Sequence, residues 1–122
     1  MKVPKTKDNN NNIEVRVRFS CEKFYFGPGA ARLLELIDKG ESVSKACKLM
    51  NMSYSKGWKI LNIIKDETGY DAVIRQQGGI NGGKTILSEQ GKALLESFRN
   101  LEKDIKEYAK NRFDQYLEEN DD

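Results

Sequence analysis

The chain has 122 residues, of which 38% are apolar and 33% charged, with a formal net charge of +2. That length holds one modest core and excludes a β/α barrel or a doubly wound dehydrogenase. Histidine is absent, which excludes serine–histidine and cysteine–histidine nucleophile pairs and every histidine-containing metal site.

No apolar run approaches the ~20 residues of a membrane helix, and no apolar h-region follows the first lysines. The expected location is therefore cytoplasmic, with no membrane partner. Cys21 and Cys47 are too few for a four-thiolate site or a disulfide framework. No metal, cofactor or catalytic constellation is implied, since clustered carboxylates occur only near the C-terminus. The small net charge hides an asymmetry. Residues 1–100 carry 17 basic and 11 acidic side chains, whereas residues 101–122 carry 4 and 8. A basic body with an acidic tail points toward nucleic acid.

Residues 1–12 are polar and read as a disordered arm. Ile13-Glu-Val-Arg-Val-Arg-Phe19 alternates with period two, predicting a strand with Ile13, Val15, Val17 and Phe19 on one face. Phe24-Tyr-Phe26 is an aromatic patch closed by Gly27-Pro28-Gly29. Pro28 suits the first turn of a helix, where its missing N–H costs nothing. Ala30, Leu33, Leu34 and Ile37 then share one helix face, and Gly40 ends that helix. Ser42 caps a short second helix with Val43, Ala46, Cys47 and Met50 on its inner face. Cys47 thus reads as a small buried hydrophobe.

After a turn at Asn51-Met52, Ser53 caps a third helix that runs to Thr68 and stops at Gly69. Trp58, Leu61 and Ile64 line its inner side, with Ile60 alongside. Ser55, Lys59 and Asn62 fall on another stripe, flanked by Lys56. Residues 72–76 and 85–87 read as two strands around a glycine-rich tip, Gly78-Gly-Ile-Asn-Gly-Gly83. Ser88 caps a long last helix reaching Leu117. Its apolar positions Leu94, Phe98, Leu101, Ile105 and Tyr108 step by 4, 3, 4, 3, which is a short heptad seam.

Two helices joined by a tight turn, the second opening with Ser53-Tyr-Ser-Lys-Gly-Trp58, form the helix-turn-helix layout. There the second helix enters the major groove. Hydroxyls and lysines donate to phosphates, and Lys and Asn reach base acceptors. Residues 42–65 hold five lysines and no acid. The glycine-rich hairpin then reads as a wing, flanked by Arg75 and Lys84. The segment Gly78–Thr85 also satisfies the phosphate-loop pattern. That pattern demands a helix at its Gly-Lys-Thr step, whereas Thr85-Ile-Leu87 reads as extended, so nucleotide hydrolysis is not expected.

The fold class expected is mainly α with a small β-hairpin: a winged helix-turn-helix over residues 13–87, then a long dimerisation helix with an acidic tail over 88–122. The expected DNA contacts are Ser42, Ser44, Lys45, Ser53, Tyr54, Ser55, Lys56, Lys59, Asn62, Arg75, Asn81 and Lys84.

Residues 13–105 resemble the N-terminal DNA-binding domain of ModE-type molybdate-responsive regulators, relatives of the LysR-type winged helix. The likeness rests on Phe26-Gly-Pro-Gly29, Gly40-Glu-Ser-Val-Ser44, Met52-Ser-Tyr-Ser-Lys-Gly-Trp58 and the glycine-rich wing before Leu87-Ser88. It implies a sequence-specific transcriptional regulator that binds a palindromic operator in double-stranded DNA as a homodimer. The dimer is implied to join largely through the N-terminal strand and the last helix. With the heptad seam, that makes Val15, Val17, Leu94, Phe98, Leu101, Ile105 and Tyr108 the expected interface. Ser53, Tyr54, Ser55, Lys56 and Lys59 map to the recognition helix, Trp58 to the core, and 77–84 to the wing. The wing carries Ile80-Asn81 where the family more often has further Gly and Lys. Residues 106–122 hold no oxyanion-binding domain, so no small-molecule effector site is expected in this chain. The alternative reading is a winged-helix module for protein–protein contact.

Overall fold

A computed structural model describes residues 1–78 and 83–118. Its elements are β1 (Phe19–Ser20), β2 (Phe24–Phe26), α1 (Pro28–Asp38), α2 (Val43–Leu49), α3 (Tyr54–Thr68), β3 (Val73–Gln76), β4 (Lys84–Leu87) and α4 (Glu89–Tyr116). The architecture is mainly helical, with two small antiparallel hairpins, β1–β2 and β3–β4, and a long last helix.

The helix ends follow the capping residues. Ser42, Ser53 and Ser88 each accept a hydrogen bond from the backbone N–H three residues on, from Lys45, Lys56 and Gly91 respectively. Asn51, with φ +55°, turns the chain out of α2 in the left-handed region. The Met52 N–H then reaches back to the Cys47 carbonyl (3.0 Å) and the Asn51 N–H to that of Lys48 (3.1 Å). This pair of bonds satisfies carbonyls that α2 leaves open and fixes the exit angle toward α3.

The core gathers around α1, whose Ala30, Ala31, Leu33, Leu34, Leu36 and Ile37 are all buried. Val43, Ala46 and Cys47 of α2, Leu61 and Ile64 of α3, Ala72, and Leu87 and Leu95 complete it. Phe26 and Phe98 meet edge-on at 5.1 Å, and Phe19 meets Phe98 edge-on at 5.3 Å. Edge-to-face rings add to area burial, so this trio ties the first hairpin to α4. A polar clamp lies alongside. Arg99 donates to both carboxylate oxygens of Glu35 at 2.8 Å and to Glu102 at 2.9 Å, bridging α1 and α4.

Two expectations need correction. The strand over Ile13–Phe19 reduces to Phe19–Ser20, because β2 is only three residues long and offers no more partners before Gly27-Pro28. The alternation persists in burial: Val17 is buried and Val15 and Phe19 are half-buried, while Glu14, Arg16 and Arg18 are exposed. Ile13, however, is exposed. The heptad seam also divides. Phe98 is fully buried within the chain's own core and cannot face a partner, because its ring is already enclosed by Phe19 and Phe26. Leu94 and Ile105 are half-buried against the same core, and Leu101 and Tyr108 are exposed.

Toward its far end α4 meets the start of the chain. The Val3 N–H donates to the Tyr116 carbonyl and the Glu118 N–H to that of Val3, so Val3 and Leu117 form a parallel bridge.

Candidate nucleic-acid interface

The short α2, the turn and α3 are held at close range. Gly57, in the first turns of α3, faces Cys47 of α2, and both are buried. A β-carbon at Gly57 would lie 2.3 Å from Cys47 Sγ, so only glycine permits this approach. The contact sets the pose of α3 and leaves its opposite face outward.

That outward face carries Tyr54, Ser55, Lys56, Lys59 and Asn62, all exposed. Tyr54 packs edge-on against half-buried Trp58 with centroids 6.2 Å apart, which steadies an exposed aromatic ring at the head of the helix. Ser53 Oγ accepts from the Lys56 N–H at 3.1 Å and lies 3.3 Å from Ser55 Oγ. Its hydroxyl is therefore engaged as a cap, as is that of Ser42 on α2. Ser44 and Lys45 are exposed on α2. Among the described residues, Lys45, Lys48, Lys56 and Lys59 have no carboxylate within ion-pair distance, whereas Lys65 pairs with Asp71 at 3.2 Å. Among the described residues, these four cations of α2 and α3 are thus left without an ion-pair partner.

The second hairpin packs through β4 on α1 and α4, and it meets α3 across one cleft. β3 and β4 pair in register, Val73 with Leu87 through Gln76 with Lys84. Arg75 and Lys84 are exposed on it. Tyr54 and Asn62 of α3 and Arg75 of β3 line one cleft of about 210 Å³. Helix and hairpin therefore present a joint surface. Asn81 lies outside the described residues.

Lys84 and Thr85 are strand residues, with Thr85 opposite Arg75, and α4 begins only at Glu89. The glycine–lysine–threonine step is thus followed by a β-ladder, and no helix N-terminus stands there to cradle a phosphate.

Sequence reasoning missed two members of this surface. Lys48 is an exposed cation in the last turn of α2, legible from the lysine count but not from helix phase. Ile74 is 48% exposed and lines the same cleft as Tyr54, Asn62 and Arg75. Its signal was its place between half-buried Val73 and exposed Arg75, where an apolar residue stands without core to cover it.

No family model matches the chain. Two curated relatives do. The chain is 32% identical over 71 residues to the molybdenum transport protein ModE of Azotobacter vinelandii, covering 58% of this chain and 26% of that protein. It is 29% identical over 93 residues to the transcriptional regulator ModE of Haemophilus influenzae, covering 75% of this chain and 36% of that protein. The chain spans about a quarter to a third of the length of these relatives. Among the described residues no helix is long and apolar enough to cross a membrane.

Proposed function

We propose that this chain is a winged helix-turn-helix module of a ModE-like, LysR-related transcriptional regulator, and that it binds double-stranded DNA. In this reading α3 is the recognition helix and β3–β4 the wing. Tyr54, Lys56, Lys59 and Asn62 face the major groove, and Arg75 and Lys84 follow the backbone beside it. The observation that carries the reading is the unneutralised cationic face of α2 and α3, continuous with Arg75 through a shared cleft. Lysines reach phosphates, and Lys and Asn side chains read base edges. The function is binding, with no catalytic step assigned.

The operator is palindromic and the binding species a homodimer, because a two-fold pair of recognition helices reads two half-sites. The exposed Leu101 and Tyr108 on α4 support a face between copies. Selection of bound sequences from a random DNA pool tests operator and symmetry together, and a non-repeated consensus contradicts the dimer. Lys56→Ala and Lys59→Ala should each weaken binding with the fold intact. Each should also lower the slope of log affinity against log salt by about 1. Unchanged affinity and slope in both variants overturn the assignment of α3.

A further inference from the structure

Away from that face, a groove of about 760 Å³ opens between the N-terminal segment, the first hairpin, the start of α1 and the C-terminal half of α3. Its volume lies in the range of small-molecule sites. Phe24, Tyr25, Ile60 and Ile63 give it an apolar body. Phe24 is 59% exposed, which leaves a large aromatic face open to solvent.

The N-terminal segment and the first hairpin bring three cations and one acid to the groove, Arg16, Arg18, Lys23 and Glu22, and the end of α3 brings two acids. Arg16 and Arg18 stand two residues apart on the N-terminal segment, both exposed and both lining the groove, while the intervening Val17 is buried. Asp66 and Glu67 line it from the end of α3. Among the described residues none of these four side chains has an ion-pair partner. Arg18 lays its guanidinium over the Phe24 ring at 4.8 Å. A guanidinium centred over a ring still has N–H groups to offer a planar anion. The start of α1 adds to this wall: Gly27 supplies no side-chain cap, and Gly29 and Ala30 of the first turn line the groove. Uncapped first-turn amides and the helix dipole favour negative charge at that end.

We infer that this groove binds a small aromatic carboxylate. The carboxylate sits against Arg16, Arg18 and the start of α1, and the ring lies on Phe24, Tyr25, Ile60 and Ile63. Asp66 and Glu67 repel an anion from the opposite wall and so fix the orientation. The site goes against the expectation that the chain holds no effector site, and it does not depend on the DNA-binding reading.

The test is a ¹H–¹⁵N NMR titration of the full chain with 2-naphthoate, with neutral 2-naphthylmethanol as the control. Saturable shifts are expected at Phe24, Gly29, Ala30 and Ile63, with Kd at least about tenfold higher for the alcohol. Arg16→Gln combined with Arg18→Gln should raise the naphthoate Kd by a similar factor, and Arg16→Gln alone by less, with circular dichroism unchanged. Absence of saturable shifts overturns the proposal. So does equal affinity for acid and alcohol, or unaltered binding in the double variant. If the groove resonances instead move with protein concentration alone, a second copy covers the groove and the ligand assignment falls.

Discussion

Gly57 fixes the helix-turn-helix at the scale of a single atom. The side chain absent there is what lets Cys47 Sγ occupy the crossing of α2 and α3. Gly57→Ala puts a methyl 2.3 Å from that sulfur, and Cys47, 1% exposed, has little room to retreat. Overpacking of this kind costs about 1–3 kcal/mol. Urea unfolding should show a loss in that range, and Cys47→Ala in the same chain should recover part of it. Neutrality of the single variant would mean the helices can separate without penalty. The sequence shows Gly57 only as one letter in Ser-Tyr-Ser-Lys-Gly-Trp58. The sulfur it must avoid lies on another helix, and spacing alone does not reveal it. Cys47 itself was legible, since its place on the α2 apolar stripe already marked it as buried.

At the level of elements, the caps explain why helix starts were readable and strands less so. A serine before an apolar-periodic run satisfies donors that every helix leaves open, so Ser42, Ser53 and Ser88 announce themselves locally. Ser88 does more, since its hydroxyl also donates to the Asp71 carbonyl at 2.5 Å while accepting from the Gly91 N–H at 2.9 Å. It is 5% exposed, so Ser88→Ala strands buried polar groups and should cost about 1–2 kcal/mol in urea unfolding. A strand depends on a partner elsewhere, and periodicity does not state how many residues of 13–19 find one. The α1–α4 clamp was equally hidden, because Glu35 and Arg99 are 64 residues apart. Hydrogen bonds from Arg99 hold the Glu35 carboxyl below its usual value against an opposing cost of burial, and the Arg99 charge adds to the effect. A carboxyl depressed in the folded state contributes stability above its unfolded value, about 4.3, that is lost as pH falls through the folded value. The stability gap between the native chain and Glu35→Gln should therefore narrow as pH drops from about 6 to about 3. A gap constant over that range would show that the ion pair contributes nothing to the α1–α4 contact.

The whole molecule poses a question of reach. α4 spans 28 residues, about 42 Å at helical rise, and its buried positions end at Glu102. Beyond that point Tyr108 stands 69% exposed, and Leu101, immediately before Glu102, is already 43% exposed. A helix that overhangs its own core and keeps apolar side chains on the overhang has a face without cover in a single chain. Under the proposed function that face joins two copies and spaces two recognition helices along DNA. Combined Leu101→Glu and Tyr108→Glu should convert dimer to monomer in analytical ultracentrifugation. Both residues are exposed, so the helical content of the separated chain should be unchanged. Operator affinity should fall because one half-site no longer holds the second nearby. Phe98→Ala is the control from the same heptad register. Phe98 lies in the core, so this change should cost about 3–5 kcal/mol of folding stability whatever the oligomeric state. A Leu101/Tyr108 variant that sediments as the native chain does would move the interface off α4, leaving the half-buried Val15 and its segment as the surface to examine next.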